Sequence, residues 1–435
     1  MPGTILLISQ AFPPDSVVGA LRAANVARTY RDAGYQVIVL TAATDDEVAG
    51  DRTWLPGVVV KTIRLGPRYR DRLTAVLRKW QPRAARADSA PALGEGGGAT
   101  AAAPVSSGGR LRSLVLSLVW IPDDELRFVL PAYRAARQLL KGVDLVYTTA
   151  PSHSTNLVGL LLRRRHGVRW CAEFRDPWCY PHSAPVTRLV ARVNRFLERM
   201  CIKAADHLVT VTEQTAELYR QRLGSSSSKV VVVRNGIPAL KPRPTPANAH
   251  SFRVVYSGNI YGGRNPRPFL HAVNIVAGEY AAAGRPLSVD LFVSEPLVGE
   301  ISLEAYIRQL GLTDVARVHR WVPHFEMQRI LAESDLLLLL AQRQPLQVPN
   351  KLYEYLGTGL PILAVADAEG ETARMLRSVG GHYVVERDTA DDIAAALRSA
   401  LMGAGETTDP SASRAVLEEW LTERQMQRLV AAVRP

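Results

Sequence analysis

The chain is short of cysteine, has no long apolar run and carries less acid than base, and each shortage removes a class of protein. Its three cysteines, Cys171, Cys179 and Cys201, give neither the even count of a disulfide framework nor a close zinc-ligand cluster. That predicts a reducing compartment and no structural metal. No stretch reaches the roughly 18 to 20 apolar residues that a bilayer-spanning helix needs. The opening "MPGTILLISQAFPPDS" lacks the basic start and long apolar segment of a secretory leader. The expectation is a cytoplasmic protein that is not integral to a membrane. Lysine and arginine number 53 against 41 acids, a formal net charge of +12. Such an excess suits anionic substrates or an anionic membrane surface, although base-composition bias in an arginine- and alanine-rich chain would give the same balance. No zinc finger, basic zipper or aromatic RNA-binding motif accompanies it, so nucleic acid is not an expected partner.

What is present is a regular alternation of strand and helix signals, as in parallel sheets covered by helices. "TILLIS", the amphipathic "ALRAANVARTYRDAG" and "YQVIVLT" make one right-handed βαβ unit. The pattern continues through "VDLVYTT", "VRWCAEF", "DHLVTVT" and "KVVVVRNG" to about residue 240. A second series, "FRVVYSG", "LSVDLFV", "ARVHRWV", "SDLLLLL", "PILAVA" and "HYVV", occupies about 251–410. The proline-rich 241–250 stretch reads as a linker, and 411–435 as terminal helices returning to the first domain. Two Rossmann-like domains so joined are expected to face each other across a cleft. One segment, about 66–121, breaks the rhythm with a Gly-, Ala- and Ser-rich centre that buries too little to order itself. Its flanks mix arginines with leucine, valine and tryptophan. Arg68, Arg70, Arg72, Arg78 and Lys79 are expected either at an anionic membrane surface or packed on their own domain.

The chemistry gathers in two stretches of the second series. "SGNIYGGRN" follows a strand and opens a helix; Gly258, Gly262 and Gly263 let the backbone approach a ligand, and Arg264 supplies a cation near a helix N-terminus. It is neither a dinucleotide fingerprint nor a P-loop. "VPNKLYEYLGTGLP" puts Lys351 and Glu354 three apart after the next buried strand. Such a pair is either a solvated surface pair or a phosphate-binding cation with a carboxylate for vicinal hydroxyls. Two cations and a carboxylate on adjacent loops describe a site for a nucleotide diphosphate carrying a sugar.

With these stretches in their order, the chain resembles the family 4 glycosyltransferases of GT-B fold over nearly its whole length. "ISQAFPPDSVVGALRAANVARTYRDAGYQVIVLT", "VYTTAPSHSTNLVGLLLRRRHGVRWCAEFRDPW", "VVRNGI", "YSGNIYGGRN", "RWVPHFEM" and "VPNKLYEYLGTGLPILAV" carry the resemblance. It implies a hexosyltransferase-class enzyme that moves a sugar, with retention, from a nucleotide diphosphate donor to a glycan, lipid-linked or small-molecule acceptor held mainly by the first domain. It implies no metal cofactor if Arg264, Lys351 and a helix N-terminus neutralise the leaving diphosphate.

By the same resemblance Arg264 falls where such enzymes carry a diphosphate-binding lysine, and Asn259 where many carry an arginine. Glu354 matches the ribose-binding second glutamate of the E-x7-E motif. The first glutamate is replaced by Leu346, so Gln344, Gln347 or backbone groups are expected to orient the sugar. Trp321 and Val322 are expected to border the base, with Gly258 in the donor loop. On the acceptor side the resemblance points to His153, Arg175 and Asp176, with Gly19 and Arg22 as contacts to acceptor or phosphate. His153 is equally a helix cap, and Asp176 equally a structural partner of Arg175. Two other readings stay open: a nucleotide-sugar epimerase of the same fold, and a non-catalytic subunit that binds nucleotide-sugar or glycan.

Overall fold

A computed structural model describes residues 3–15, 18–43, 51–69, 71, 121–179, 188–242, 251–260, 263–294, 296–298, 301–403 and 410–435. It divides into two compact units. Unit 1 takes Met1–Val211, Thr215–Val232 and Leu429–Pro435; unit 2 takes Thr212–Gln214 and Val233–Arg428.

Unit 1 is built from β1 (Thr4–Ser9), α1 (Val18–Asp32), β2 (Gln36–Ala42), β3 (Asp51–Leu55), β4 (Val58–Ile63), α2 (Leu126–Leu139), β5 (Val143–Ala150), α3 (Ser154–His166), β6 (Trp170–Phe174), α4 (Arg188–Ala204), β7 (His207–Thr210), α5 (Glu213–Leu223) and β8 (Val230–Val232). The sheet order is β3-β4-β2-β1-β5-β6-β7-β8, parallel apart from the antiparallel β3–β4 hairpin. Ile5, Leu6, Leu7 and Ile8 of β1 are all fully buried. Helices on both faces exclude water from a parallel sheet, so its central strands are continuous apolar runs and do not alternate. From β1 the chain steps outward through β2, then returns to β5 on the other side of β1 and steps away through β6, β7 and β8. The carboxyl ends of β1 and β5 therefore flank a topological switch point, the usual ligand crevice of such sheets.

Close packing of α3 on the sheet depends on Gly159. A Cβ there would lie 2.2 Å from Nε1 of Trp170, which is fully buried and donates to Thr148 Oγ1 at 2.8 Å. The helix ends at Gly167, whose left-handed φ of 66° lets its N–H reach the Arg163 carbonyl at 3.0 Å.

Unit 2 comprises β9 (Phe252–Ser257), α6 (Arg267–Ala282), β10 (Leu287–Phe292), the small β11 (Leu297–Val298) and β12 (Ile301–Ser302) ribbon, α7 (Leu303–Gln309), β13 (Ala316–His319), α8 (His324–Ala332), β14 (Leu336–Ala341), α9 (Asn350–Leu356), β15 (Ile362–Ala366), α10 (Glu371–Val379), β16 (Tyr383–Val385), α11 (Ala390–Leu401), α12 (Pro410–Glu419) and α13 (Thr422–Ala432). Its six-stranded sheet runs β13-β10-β9-β14-β15-β16, all parallel. The switch point here lies between β9 and β14. The passage into unit 2 comes at Val233, ahead of the expected residue 240, because Ile237 forms a parallel bridge with Leu421. Gly236, at φ 87°, lies so close to Thr422 that a Cβ would meet its Cα at 2.5 Å. Of the terminal stretch, only Leu429–Pro435 groups with unit 1, where Tyr30 donates its hydroxyl to the Val433 carbonyl at 2.7 Å.

Most of the 66–121 segment and positions 70, 72, 78 and 79 lie outside the described residues. Arg68 is described, and it pairs with Glu125 at 3.1 Å.

Candidate active site

In unit 2, Asn259, Arg264 and Gln344 meet at the switch point. β9 ends at Ser257, and Gly258 follows with its N–H on the Phe292 carbonyl at 3.0 Å. Asn259 is exposed and turns its carbonyl inward, accepting from the Tyr256 hydroxyl at 3.1 Å and from Arg264 Nη1 at 3.4 Å. Arg264 also reaches Gln344 Oε1 at 3.4 Å. Gln344 is buried, and the loop carrying it after β14 is held by Asp367, which accepts the N–H of Gln344 at 2.7 Å and of Arg343 at 3.2 Å. Arg343 adopts a left-handed φ of 58° there. Gln347 continues the turn with its N–H on the Gln344 carbonyl at 3.1 Å.

Helix α9 delivers the other pair. Lys351 Nζ lies 3.2 Å from Glu354 Oε2, with the lysine side chain a third exposed at 33% and the glutamate at 13%. In this structure the two charges are thus partnered with each other, one helical turn apart. The neighbouring Tyr355 fixes where the pair stands. Its fully buried hydroxyl accepts the Ser257 N–H at 2.9 Å and ties α9 to the end of β9. Burial pushes the phenol well above its ordinary pKa, so the oxygen stays protonated. Arg264 and Gln344 stand on the loops that leave β9 and β14, and Lys351 and Glu354 on the helix that follows the second of them.

Trp321 follows β13 and is 72% exposed, while Val322 packs against the core under α8. Leu346, at the expected glutamate position, contributes its main-chain carbonyl, which accepts from Thr212 Oγ1 at 3.0 Å. Sequence reasoning passed over Glu371. This buried carboxylate accepts the N–H groups of Glu213 and Gln214 at 3.2 and 3.3 Å and pairs with Arg234 at 2.5 Å. The only local signal, an acid in the first turn of α10 after glycine, does not reveal partners more than a hundred residues away.

In unit 1, His153 precedes α3 at the end of β5, beside that unit's switch point. It does not cap the helix. Asp123 does, accepting from the Ser154 N–H at 3.0 Å, the Ser154 hydroxyl at 2.6 Å and the Ser152 hydroxyl at 3.1 Å. Relieved of that task, the imidazole stacks on Trp178 with centroids 5.0 Å apart and planes 2° from parallel. Burial lowers its pKa, opposed by Asp123 and Asp176, so the ring is neutral at pH 7.

Arg175 follows β6. It makes no ion pair with Asp176, and burial lowers its pKa against the raising pull of Asp176 and Glu173. One Nη approaches within 3.2 Å of where a Cβ on Gly19 would stand, so glycine leaves room for the guanidinium. Three buried polar atoms in this neighbourhood, His153 Nδ1, Arg175 Nε and Trp178 Nε1, have no hydrogen-bond partner among the described residues. Buried donors and acceptors are seldom left so.

Arg22 is a correction. Expected to contact acceptor or phosphate, it is 4% exposed and donates to Glu173 Oε1 from Nε at 2.9 Å and from Nη2 at 2.6 Å. Thr149 takes the other carboxylate oxygen at 2.5 Å. The charge is engaged inside unit 1, because a buried carboxylate on β6 needs a cation and α1 supplies it.

Residues 19–236, half of the chain, match the glycosyl transferase 4-like domain family. The chain belongs to that family. The chain is 25% identical over 194 residues to the 2-deoxystreptamine glucosyltransferase of Streptomyces kanamyceticus, a match covering 42% of this chain and 49% of that enzyme. The match thus spans about half the length of that relative. Among solved structures, a UDP-forming α,α-trehalose-phosphate synthase from Burkholderia xenovorans superposes with a TM-score of 0.63 at 13% identity, covering 99% of this chain and 98% of the other. Anabaena HepE, solved with UDP and glucose, gives a TM-score of 0.59 at 14% identity over 99% of this chain and 98% of HepE. The fold, two parallel-sheet domains, is GT-B. Among the described residues no helix is long and apolar enough to cross a membrane.

Proposed function

We propose that this glycosyltransferase transfers a sugar, with retention at the anomeric carbon, from a nucleoside diphosphate donor bound by unit 2 to a hydroxyl of a glycan, lipid-linked or small-molecule acceptor bound by unit 1. The observation that carries the reading is the placement at the β9–β14 switch point of Arg264, on the loop that leaves β9, and of the Lys351–Glu354 pair, on the helix after the loop that leaves β14, tied there by Tyr355. Diphosphate arriving at that point draws Lys351 from Glu354, and the carboxylate is then available to ribose hydroxyls. In the transfer, the bond from anomeric carbon to diphosphate oxygen breaks and the acceptor oxygen bonds that carbon. The acceptor proton passes to the departing diphosphate on the same face. Arg264 and Lys351 stabilise the charge that develops there, a role that calls for no metal ion. Gln344, buried beside Arg264, takes the sugar-orienting place that Leu346 cannot fill. On the acceptor side, His153, Arg175 and Trp178 offer polar atoms with unmet hydrogen bonds, and a neutral imidazole can accept from a hydroxyl.

Calorimetric titration with UDP, GDP, ADP and dTDP tests the donor half. One of them should bind, and Arg264→Ala or Lys351→Ala should weaken it at least about tenfold, the equivalent of losing one charge-assisted bond of about 1.5 to 3 kcal/mol. Wild-type affinity in both variants would make the two cations ordinary surface charges.

A further inference from the structure

On the side of unit 1 where α2, α3 and α4 lie, the helices pack in sequence, α2 on α3 and α3 on α4. α2 and α3 carry three arginines each and α4 four arginines and a lysine, and the three hold a single acid, Glu198; Arg127 of α2 and Arg163 of α3 pair with Glu125 and Asp206 outside the helices, so the weight of free charge falls on α4. Glu198 is buried and committed to Tyr219 and Arg222, so it offsets nothing outside. On α4 the exposed cations are Arg188, Arg192, Arg195, Arg199 and Lys203. At 100° per residue they fall within an arc of about 80° along the helix. None of the five forms an ion pair among the described residues.

Beside that stripe two large apolar side chains face water. Phe196 is 61% exposed and Leu189 48% exposed; nearly two turns apart, they share one edge of the cationic face. Leu130 of α2, 51% exposed, adds a third. An isolated exposed leucine means nothing. A row of unpaired cations with bulky apolar side chains on its margin is different: it is the pattern of a helix lying in a membrane interface, with cations at the headgroups and apolar side chains at the acyl boundary.

We propose that the α2–α4 face of unit 1 docks on an anionic lipid surface, with α4 as the helix that meets it. Charge complementarity selects an anionic partner, and Phe196 with Leu189 selects lipid over other polyanions, since phosphate backbones and acidic polysaccharides offer nothing for a phenyl ring and an isobutyl group to enter. Of the cations expected to do this from the sequence, Arg70, Arg72, Arg78 and Lys79 fall outside the described residues, and Arg68 is engaged with Glu125. The proposal concerns attachment alone and stands apart from the donor chemistry.

The test is co-sedimentation of the full chain with phosphatidylglycerol-containing vesicles and with neutral phosphatidylcholine vesicles, at low and high salt. Wild type should pellet with the anionic vesicles at low salt, release at high salt and stay in the supernatant with neutral vesicles. Changing Arg188, Arg192, Arg195 and Arg199 to Gln should lower the partition at least tenfold. Changing Arg308, Arg317, Arg320 and Arg329 of unit 2 to Gln, an equal loss of charge, should leave most of it intact. Phe196→Ser with Leu189→Ser, at unchanged charge, should lower it several-fold; circular dichroism on each variant checks that the fold is retained. Failure of wild type to pellet at low salt overturns the proposal. So does equal loss in the unit 2 control, which would mean overall charge, and so does full binding by the serine variant, which would mean a polyanion site with no use for lipid.

Discussion

His382 shows how one side chain writes a pH dependence into unit 2. It stands just before β16 and accepts the Ile362 N–H on Nδ1 at 3.2 Å, so the proton of the neutral ring sits on Nε2. That nitrogen is buried without a partner among the described residues, and burial pushes the pKa down to about 4. An unfolded histidine takes its proton near 6.5. The unfolded chain therefore binds more protons between those values, and stability, complete above pH 6.5, falls as the pH drops toward 4. The loss amounts to about 3 kcal/mol at most. His382→Gln keeps an acceptor for Ile362 but does not titrate. Urea unfolding at pH 7.5 and 4.5 should show a smaller drop for the variant than for wild type, and equal drops would remove His382 as the cause. At this scale the sequence was legible where a pairing is local. Lys351 and Glu354 stand one helical turn apart in a glycine- and proline-bounded motif, and their loop could be read. It was opaque where a partner comes from far along the chain: Asp123 capping α3 over about thirty residues, or Glu173 holding Arg22 from 151 residues away. No periodicity encodes such pairs.

Among the elements, α3 is the sharpest test of packing against propensity. Alanine is favoured over glycine within a helix by about 1 kcal/mol. A methyl at position 159, however, would overlap the Trp170 indole, which is fully buried and hydrogen-bonded to Thr148. Overpacking of this kind typically costs about 1 to 3 kcal/mol, so Gly159→Ala is expected to destabilise despite its better propensity. A melting temperature equal to or above wild type would show that α3 sits less tightly on β6 than the geometry says. The same competition explains what could be read of the elements. Central strands such as β1, β14 and β15 announced themselves as buried β-branched or leucine runs. The β3–β4 hairpin did not, because β3, "DRTWL", is short and polar, and its one clear mark is the Pro56-Gly57 turn before "VVVKTI". Helix α2 was likewise passed over, its pattern interrupted by Pro131.

For the molecule as a whole, two successive α/β series were visible in the alternation of strand and helix. Where one unit yields to the other was not, since that is decided by pairings such as Ile237 with Leu421 that only the folded chain makes. The final seven residues are the clearest case. Leu429 and Val433 are fully buried in unit 1, and the Val433 carbonyl satisfies Tyr30. Deleting 429–435 removes two buried aliphatic side chains, each contributing about 1.5 to 3 kcal/mol, and orphans a buried hydroxyl. Against a typical total of about 5 to 15 kcal/mol that is a large fraction. Scanning calorimetry of the truncated chain should show a melting temperature lower by several degrees or more. An unchanged transition would mean that the segment rests on unit 1 without holding it.

The return of the chain to unit 1 also sets a schedule. During synthesis the eight strands of unit 1 emerge first, but its closing residues follow only after the whole of unit 2, roughly 200 residues later. At about 5 to 20 residues per second that is an interval on the order of ten to forty seconds. Throughout it, the groove around Tyr30 that Leu429 and Val433 will fill stands open to water and to other nascent chains. Unit 1, first made, is last finished.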